Sequence, residues 1–215
     1  MCSSDLFVLL SHAHIDHSGL LPRLVAMGFR GAIHATRATC DLLAVMLPDA
    51  GHIQEREAEY ANYRRFHARK KAPRHDVAPL YTVEQARASL KRLAPLDYDQ
   101  EITPGSGVRC VFRDAGHILG SSIVEVWLGE GARRRKIVFS GDLGQPARPL
   151  VRDPMPIHDA DYLLVESTYG NRLHKGMEET EDELVRVVND TLFKKGGNLI
   201  RSEEHTSELQ SLAYL

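Results

Sequence analysis

Three histidines and an aspartate fall within six residues of SHAHIDHSG, Ser11 to Gly19, and few backbones can bring four such side chains together so tightly. His12 and His14 are two apart, so on an extended segment both side chains project to the same side. Asp16 and His17 follow, where the chain turns into a helix expected to start near Ser18. The preceding run, FVLLS (Phe7–Ser11), has the length and apolarity of a buried strand. Four good ligands therefore meet at one strand-to-helix junction. Imidazole nitrogen and carboxylate oxygen suit zinc, at metal–ligand distances of roughly 2.0–2.2 Å. The spacing is not that of HExxH, which sets two histidines on one helical face. A polar loop with incidental histidines would account for one His but not for this density.

The elements around the cluster alternate irregularly. Ser18–Phe29 has Leu20, Leu21, Leu24, Val25 and Met27 at helical spacing and ends at Gly28 and Gly31. AIHAT (Ala32–Thr36) reads as a strand. Arg37–Leu47 reads as a helix ended by Pro48, and Asp49–Lys71 as a separate polar helix. TVEQ opens a helix over Thr82–Leu93, with Thr82 as cap and Gln85 reaching back. VRCVFRDA, SSIVEVWLGE and KIVFSGD, separated by Gly-containing turns, predict three antiparallel strands. YLLVES (Tyr162–Ser167) reads as a buried strand, Thr180–Lys195 as an amphipathic helix with Leu184, Val187, Val188, Thr191 and Leu192 on one face, and NLI as the start of another strand. Helices covering β-sheet, without strict βαβ alternation, predict a layered α/β (α+β) architecture.

At 215 residues, 43% hydrophobic and 26% charged, the chain can bury one sizeable core or one domain and part of another. No apolar run approaches the roughly 20 residues of a membrane span, and no signal peptide is visible. Cys2, Cys40 and Cys110 are scattered with no CxxC pair, which argues against a disulfide framework and for a reducing, cytoplasmic setting; Cys40 and Cys110 sit among apolar residues as buried thiols. The formal net charge of −2 gives no global basic signal for nucleic acid, though a local patch could still serve. Tyr63–His75, YRRFHARKKAPRH, is such a patch: it can track a phosphate backbone, or be a solvated helix face, the more ordinary outcome.

The cluster resembles the HxHxDH motif of the metallo-β-lactamase superfamily, and the likeness continues in order down the chain. DAGHILGSS, with His117 at a strand end, is similar to the third motif of that superfamily. FSGDLG, with Asp142 after KIVFS, is similar to the fourth, and VESTYG, with Glu166, to the acidic motif that opens the β-CASP subfamily. GHIQE (Gly51–Glu55) and LYTVEQA resemble the bacterial and archaeal RNA-processing members, including the mRNA 3′-end cleavage endonuclease group. The resemblance covers nearly all of Phe7–Ile200 and implies a partial metallo-β-lactamase αββα sandwich. It implies two Zn2+ in the intact protein: His12, His14 and His117 on the first, Asp16 and His17 on the second, Asp142 bridging. Asp16 and Glu166 are the candidate catalytic positions, Glu166 in general acid–base support through a histidine elsewhere in the protein; a strand-end Glu capping the following turn is the plainer role. Gly116, Gly120, Gly141 and Gly144 flank ligands and are expected at close backbone turns. His34 is expected in the core, and His52, His67, His75, His158 and His174 have no ligand pattern.

Both ends look foreign. RSEEHTSELQS (Arg201–Ser211) resembles a translated DNA-sequencing adapter, and CSSDL (Cys2–Leu6) the same adapter read from its other strand. The expected division is therefore residues 1–6 and 201–215 as adapter-like ends, 7–176 as a metallo-β-lactamase domain lacking its first strands, and 177–200 as the start of a truncated β-CASP domain. On that reading the superfamily's first motif, a last histidine ligand and the acid histidine lie outside this chain, so one zinc rather than two and little activity are expected of the fragment. Single-stranded RNA is the expected partner, cleaved as an endonuclease, a 5′ exonuclease or both, with no membrane association and with homo-oligomers possible through the missing regions. The alternatives are a DNA nuclease, a thioesterase-type hydrolase, and a non-catalytic subunit of an RNA-processing complex. The last would be expected to lose zinc ligands, whereas all six positions expected within this span are filled.

Overall fold

The computed structural model describes residues 6–67, 76–147, 150–171 and 176–199. The apolar FVLLS run forms β1 (Val8–Leu9), and its ladder is prolonged by Val8 N donating to Ala32 O at 2.9 Å and Leu10 N to His34 O at 3.0 Å. The segment expected as one helix after the histidines is two: α1 (Ile15–Ser18) and α2 (Leu21–Ala26), with Pro22 in the first turn of the second. Proline is tolerated there because that N–H has no intrahelical partner in any case. β2 (Ile33–Thr36) lies parallel to β1 and to β3 (Leu93–Leu96), giving a three-stranded sheet in the order β1-β2-β3.

Pro48 does not end the helix it was expected to end. Helix α3 runs unbroken from Arg37 to His67, 31 residues with Pro48 inside. An interior proline costs about 3 kcal/mol. On either side of it, however, Leu43, Leu47, Gly51 and Ala58 are buried, and each fully buried Leu contributes roughly 1.5–3 kcal/mol. Gly51 sits so close to the next helix that a Cβ would lie 3.0 Å from Val83 N. That helix, α4 (Val83–Leu90), carries the expected capping box: Thr82 Oγ1 accepts from Gln85 N at 3.2 Å and Gln85 Oε1 accepts from Thr82 N at 3.0 Å.

The second sheet has the order β4-β5-β6-β7-β8. Its centre is the expected antiparallel trio β5 (Val108–Asp114), β6 (Ser122–Leu128) and β7 (Arg135–Phe139). β4 (Glu101–Gly105) joins it antiparallel on one edge and β8 (Tyr162–Leu164) parallel on the other. β8 is not the buried strand that its apolar sequence predicts: Tyr162, Leu163 and Leu164 are all more than half exposed.

Cores lie on both faces of the first sheet. One groups Leu10, Ile33 and Ala35 with Leu21, Val25, Leu43, Leu47 and Tyr81 under the helices. The other joins Leu96, with Leu9 against it, to Cys110, Phe112, Val124 and Val126 of the second sheet. The sequence of layers is thus helix, sheet, sheet, as in a partial αββα sandwich. The outer face of the second sheet carries a smaller cluster, Ala115, Ile123 and Val138 with Ile157 against it, beside a charged ladder. Glu125, 3% exposed, accepts from Arg113 Nε at 2.6 Å and pairs with Lys136, which also reaches Asp159 at 3.1 Å. Cys40 and Cys110 are buried and free, as expected.

The chain divides into two compact units, with the boundary between Glu166 and Ser167. The second unit contains α5 (Met177–Asn189), the expected amphipathic helix, which continues as a π-helical segment to Lys195 and stops at Gly196 in the left-handed conformation. Asn198 and Leu199 carry no strand. The adapter-like stretches 2–5 and 201–215, Ile200, His174 and all of ARKKAPRH, His75 included, lie outside the described residues. No described helix is long and apolar enough to cross a membrane.

Candidate metal centre

The HAHIDH segment leaves β1 and folds straight into α1, so its side chains hang at the end of the first sheet. His14 is the N-cap of α1, and Ser18 Oγ donates to Ala13 O at 2.8 Å, closing the turn. The second sheet delivers the rest from the ends of β5 and β7. His117 follows β5 in a turn held by buried Ser121, whose Oγ accepts from His117 N at 3.0 Å and Ile118 N at 3.2 Å. Asp142 follows β7 in the turn begun by Gly141 (φ 56°). The two sheets are stitched together at this point, since Ser122 N and Oγ both donate to Ser11 O, at 2.8 and 2.7 Å.

His12, His14, His117 and Asp142 come together with ligand atoms all within 4.8 Å of one another. His12 Nε2 is 3.1 Å and His117 Nε2 3.2 Å from His14 Nδ1. Asp142 Oδ2 is 3.6 Å from His12 Nε2 and 3.7 Å from His117 Nε2. Four donors arranged tetrahedrally about a zinc, at roughly 2.0–2.1 Å, lie about 3.3–3.4 Å apart. The spacings found are those of a zinc-sized set, and the donors are of the kinds zinc takes. His12 has no solvent exposure, and its Nδ1 lies 3.1 Å from Ser11 Oγ. With Nδ1–H donating to that hydroxyl, Nε2 presents its lone pair to the cluster. Burial, with His17, His14 and His117 close by, lowers the His12 pKa to about 3, so the ring is neutral, the form that binds metal.

His17 adjoins this group. Its Nε2 is 3.3 Å from Asp142 Oδ1, the oxygen not turned toward His12 and His117, and its ring packs on His12 at 4.2 Å between centroids. Asp16 is 3.6 Å from His17 Nε2, with its side chain mostly exposed. Asp142 therefore faces two sets of donors, one through each oxygen, and all six expected positions gather at one end of the two sheets. Glu166 does something its sequence context did not reveal: its Oε1 accepts from Leu143 N at 2.6 Å, next to Asp142, and its own N donates to Ser140 Oγ at 3.1 Å. It holds the turn that carries Asp142.

Ser11, Ser121 and Ser140 were not singled out from the sequence. The available signal was that each ligand-bearing segment has a serine beside it, in SHAH, ILGSS and FSGD. Two glycines are dictated by close approach. A Cβ on Gly144 would lie 1.7 Å from Gly116 O, and one on Gly120 (φ 83°) 2.5 Å from Thr39 N. Gly120 O accepts from Thr36 Oγ1 at 2.6 Å and Thr39 Oγ1 at 2.9 Å, tying the His117 turn to the start of α3.

A layered α/β unit with a histidine–aspartate metal centre at the sheet ends is the class defined so far. Comparison with known proteins narrows it. The chain is 36% identical over 193 residues to Ribonuclease TTHA0252 of Thermus thermophilus, covering 90% of this chain and 38% of that protein. It is 29% identical over 196 residues to Transcription termination factor FttA of Methanococcus maripaludis, covering 90% and 28%, and 32% identical over 197 residues to the same factor of Pyrococcus abyssi, covering 90% and 27%. The chain thus spans well under half the length of these relatives. No protein-family model matches it. Among solved structures, FEZ-1 metallo-β-lactamase from Legionella gormanii is similar over 69% of this chain and 47% of that one, at TM-score 0.39 and 18% identity, too loose a match to place any residue. In sequence the chain is thus similar to nucleases of the β-CASP group of the metallo-β-lactamase superfamily.

Proposed function

We propose that this chain is the metal-binding part of a zinc-dependent hydrolase that cleaves phosphodiester bonds of single-stranded RNA, working in the cytoplasm. The observation that carries this reading is the convergence of His12, His14, His117 and Asp142, with His17 and Asp16 alongside. The names of the relatives, a ribonuclease and a transcription termination factor, supply the substrate class. His12, His14 and His117 would hold a first zinc and Asp16 and His17 a second, with Asp142 available to both. Bound there, zinc supplies Lewis acidity toward water and toward a phosphoryl oxygen.

The chain's own groups do the rest. Ser11 fixes the tautomer of His12, which keeps a buried lone pair aimed into the site. Glu166 and Ser140 hold the Asp142 turn so that its two oxygens point to different donor sets. Apolar side chains wall the approach beside it: Leu9, Phe139, Leu163, Leu164 and Val165 line a cavity of about 790 Å³ that reaches His17, Asp142 and Glu166. That is room for a nucleotide-sized group.

The test is zinc content by mass spectrometry together with cleavage assays on labelled single-stranded RNA, single-stranded DNA and a thioester. In this chain we expect zinc nearer one ion than two, because His17 and Asp16 with Asp142 make the more open set. His12→Ala should remove it. Metal-free protein, or a preference for the thioester, would overturn the reading.

A further inference from the structure

We propose that the C-terminal end of α3 is a second binding surface for single-stranded RNA, remote from the metal centre. The choice of RNA as occupant rests on the ribonuclease reading above. The surface itself rests on the helix. After Ala58, α3 has no buried residue. It nevertheless carries three large aromatic side chains there, Tyr60 (62% exposed), Tyr63 (61%) and Phe66 (87%).

Those rings are already arranged with cations and with one another. Tyr60, Tyr63, Arg64 and His67 fall at i, i+3, i+4 and i+7, one stripe of the helix. The Arg64 guanidinium lies over the Tyr60 ring at 5.8 Å. The Tyr63 and His67 rings stack at 4.1 Å and 39°, with His67 Nδ1 2.9 Å from Tyr63 O, and Phe66 meets His67 edge-on. Sequence-tolerant binding of single strands uses this combination, π faces for bases among positive charges for the backbone.

Charge selects the occupant. Acidic residues stop at Glu59. From Tyr60 to His75 there are six Arg and Lys and no Asp or Glu, in a chain with formal net charge −2. The same stretch has no Leu, Ile, Val or Met, whereas a protein interface buries an apolar centre depleted in charge. A polyanion with aromatic faces fits both facts. The stretch is also anchored at its neck. Asn62 Nδ2 donates to Val77 O at 2.9 Å and Val77 N donates to Asn62 Oδ1 at 2.8 Å.

The distance sets a test. Thr39, near the start of α3, bonds Gly120 in the His117 turn. Tyr63 is 24 residues further on, about 36 Å along the axis at 1.5 Å per residue. At about 3.4 Å per stacked nucleotide, a strand needs on the order of ten nucleotides to touch both places.

The experiment is fluorescence anisotropy on the full chain in EDTA, where cleavage cannot intervene. The probes are labelled oligouridylates of about five and about twenty-five nucleotides, below and above that span. Tyr63→Ala with Phe66→Ala should weaken the long strand at least tenfold and leave the zinc content, measured after zinc is restored, unchanged. Arg64→Gln with Arg65→Gln should lower the salt dependence of long-strand binding by about two phosphate contacts. Unchanged affinity of both double variants for the long strand overturns the proposal. So does tighter binding of single-stranded DNA than RNA, or a dimer of the chain that the ring substitutions dissolve. Because the side chains are exposed, circular dichroism of the variants should match the parent. Ring-dependent binding of the long strand by a chain that takes up no zinc would sustain this surface and sink the ribonuclease reading, and zinc uptake with binding that ignores the ring substitutions would do the reverse.

Discussion

Replacing Gly144 by alanine should cost the protein its metal before it costs the protein its fold. Gly144 N donates to Ala115 O at 2.9 Å, which presses the turn after Asp142 against the turn before His117. An added Cβ would lie 1.7 Å from Gly116 O, 2.1 Å from Gly116 C and 2.7 Å from His117 N. Ordinary contact begins near 3.4 Å, so the two backbones must part by about 1.7 Å, a change that overpacking energetics puts at about 1–3 kcal/mol or somewhat more. One backbone carries His117 and the other Asp142, now 3.7 Å apart. Metal sites hold their distances to about 0.2 Å, so a shift several times larger should exceed the 10–100-fold affinity loss typical of disturbed outer-shell partners. Competition with a chromogenic chelator reads the zinc affinity, and the melting temperature of the metal-free protein reads the fold. Gly107→Ala is the control. It has φ 68° and open space around its Cβ, so it should lower the melting temperature through backbone strain of about 1 kcal/mol and leave zinc affinity alone. If Gly144→Ala binds zinc as tightly as the parent, the two turns do not press on one another and the reasoning fails.

Glu166→Gln retains an oxygen to accept from Leu143 N and should hold zinc nearly as the parent does, while Glu166→Ala should lose about tenfold or more; equal affinities for the two would show that Glu166 does not position Asp142. Glu125→Ala leaves Lys136 paired with Asp159 alone and Arg113 with Asp99 alone and should cost about 1–3 kcal/mol in urea unfolding, whereas breaking the exposed Arg56–Glu59 pair should cost under about 1 kcal/mol; similar values would refute the burial argument. Burial pushes the Cys40 and Cys110 thiols from 9.0 up to about 11. Burial therefore favours the protonated form, and its contribution is intact below about pH 9 and fades as pH rises toward 11. Iodoacetamide at neutral pH should label both far more slowly in the native protein than in urea, and comparable rates would contradict the buried thiols.

The elements legible in the sequence were those whose signals are local. The capping box at Thr82, the alternating runs of β5, β6 and β7, and the amphipathic α5 each declare themselves within a few residues. The missed strands carry proline: β3 reads LAPL and β4 reads EITPG. Both lie at sheet edges, where the lost N–H has no ladder partner to miss, so the signal that argues against a strand is silenced by position. Pro48 misled in the opposite direction, because packing of Leu43, Leu47 and Gly51 outweighs a local penalty. The apolar run of β8 could not reveal its exposure, since hydrophobicity states what a strand can bury and not what is present to bury it.

The candidate site divides along the same line. His12, His14, Asp16 and His17 could be read as a metal cluster from spacing alone, because one strand-to-helix turn presents them together. His117 and Asp142 are single residues at the ends of β5 and β7, 103 and 128 positions from His14, and only the order of the motifs marked them. What brings them in is invisible in any local window: two hydrogen bonds from Ser122 to Ser11 O across 111 residues, a Gly144 pressed on Gly116, and the Glu166 carboxylate on Leu143 N. Each acts on the backbone of a ligand-bearing turn. Backbone-directed contacts of this kind ask only for a small or hydrogen-bonding side chain, which is why serine and glycine supply so many of them and why composition gives no warning. A donor set buried as deeply as His12 gains its convergence from those contacts, so the histidines name the metal centre while the serines and glycines around them hold its shape.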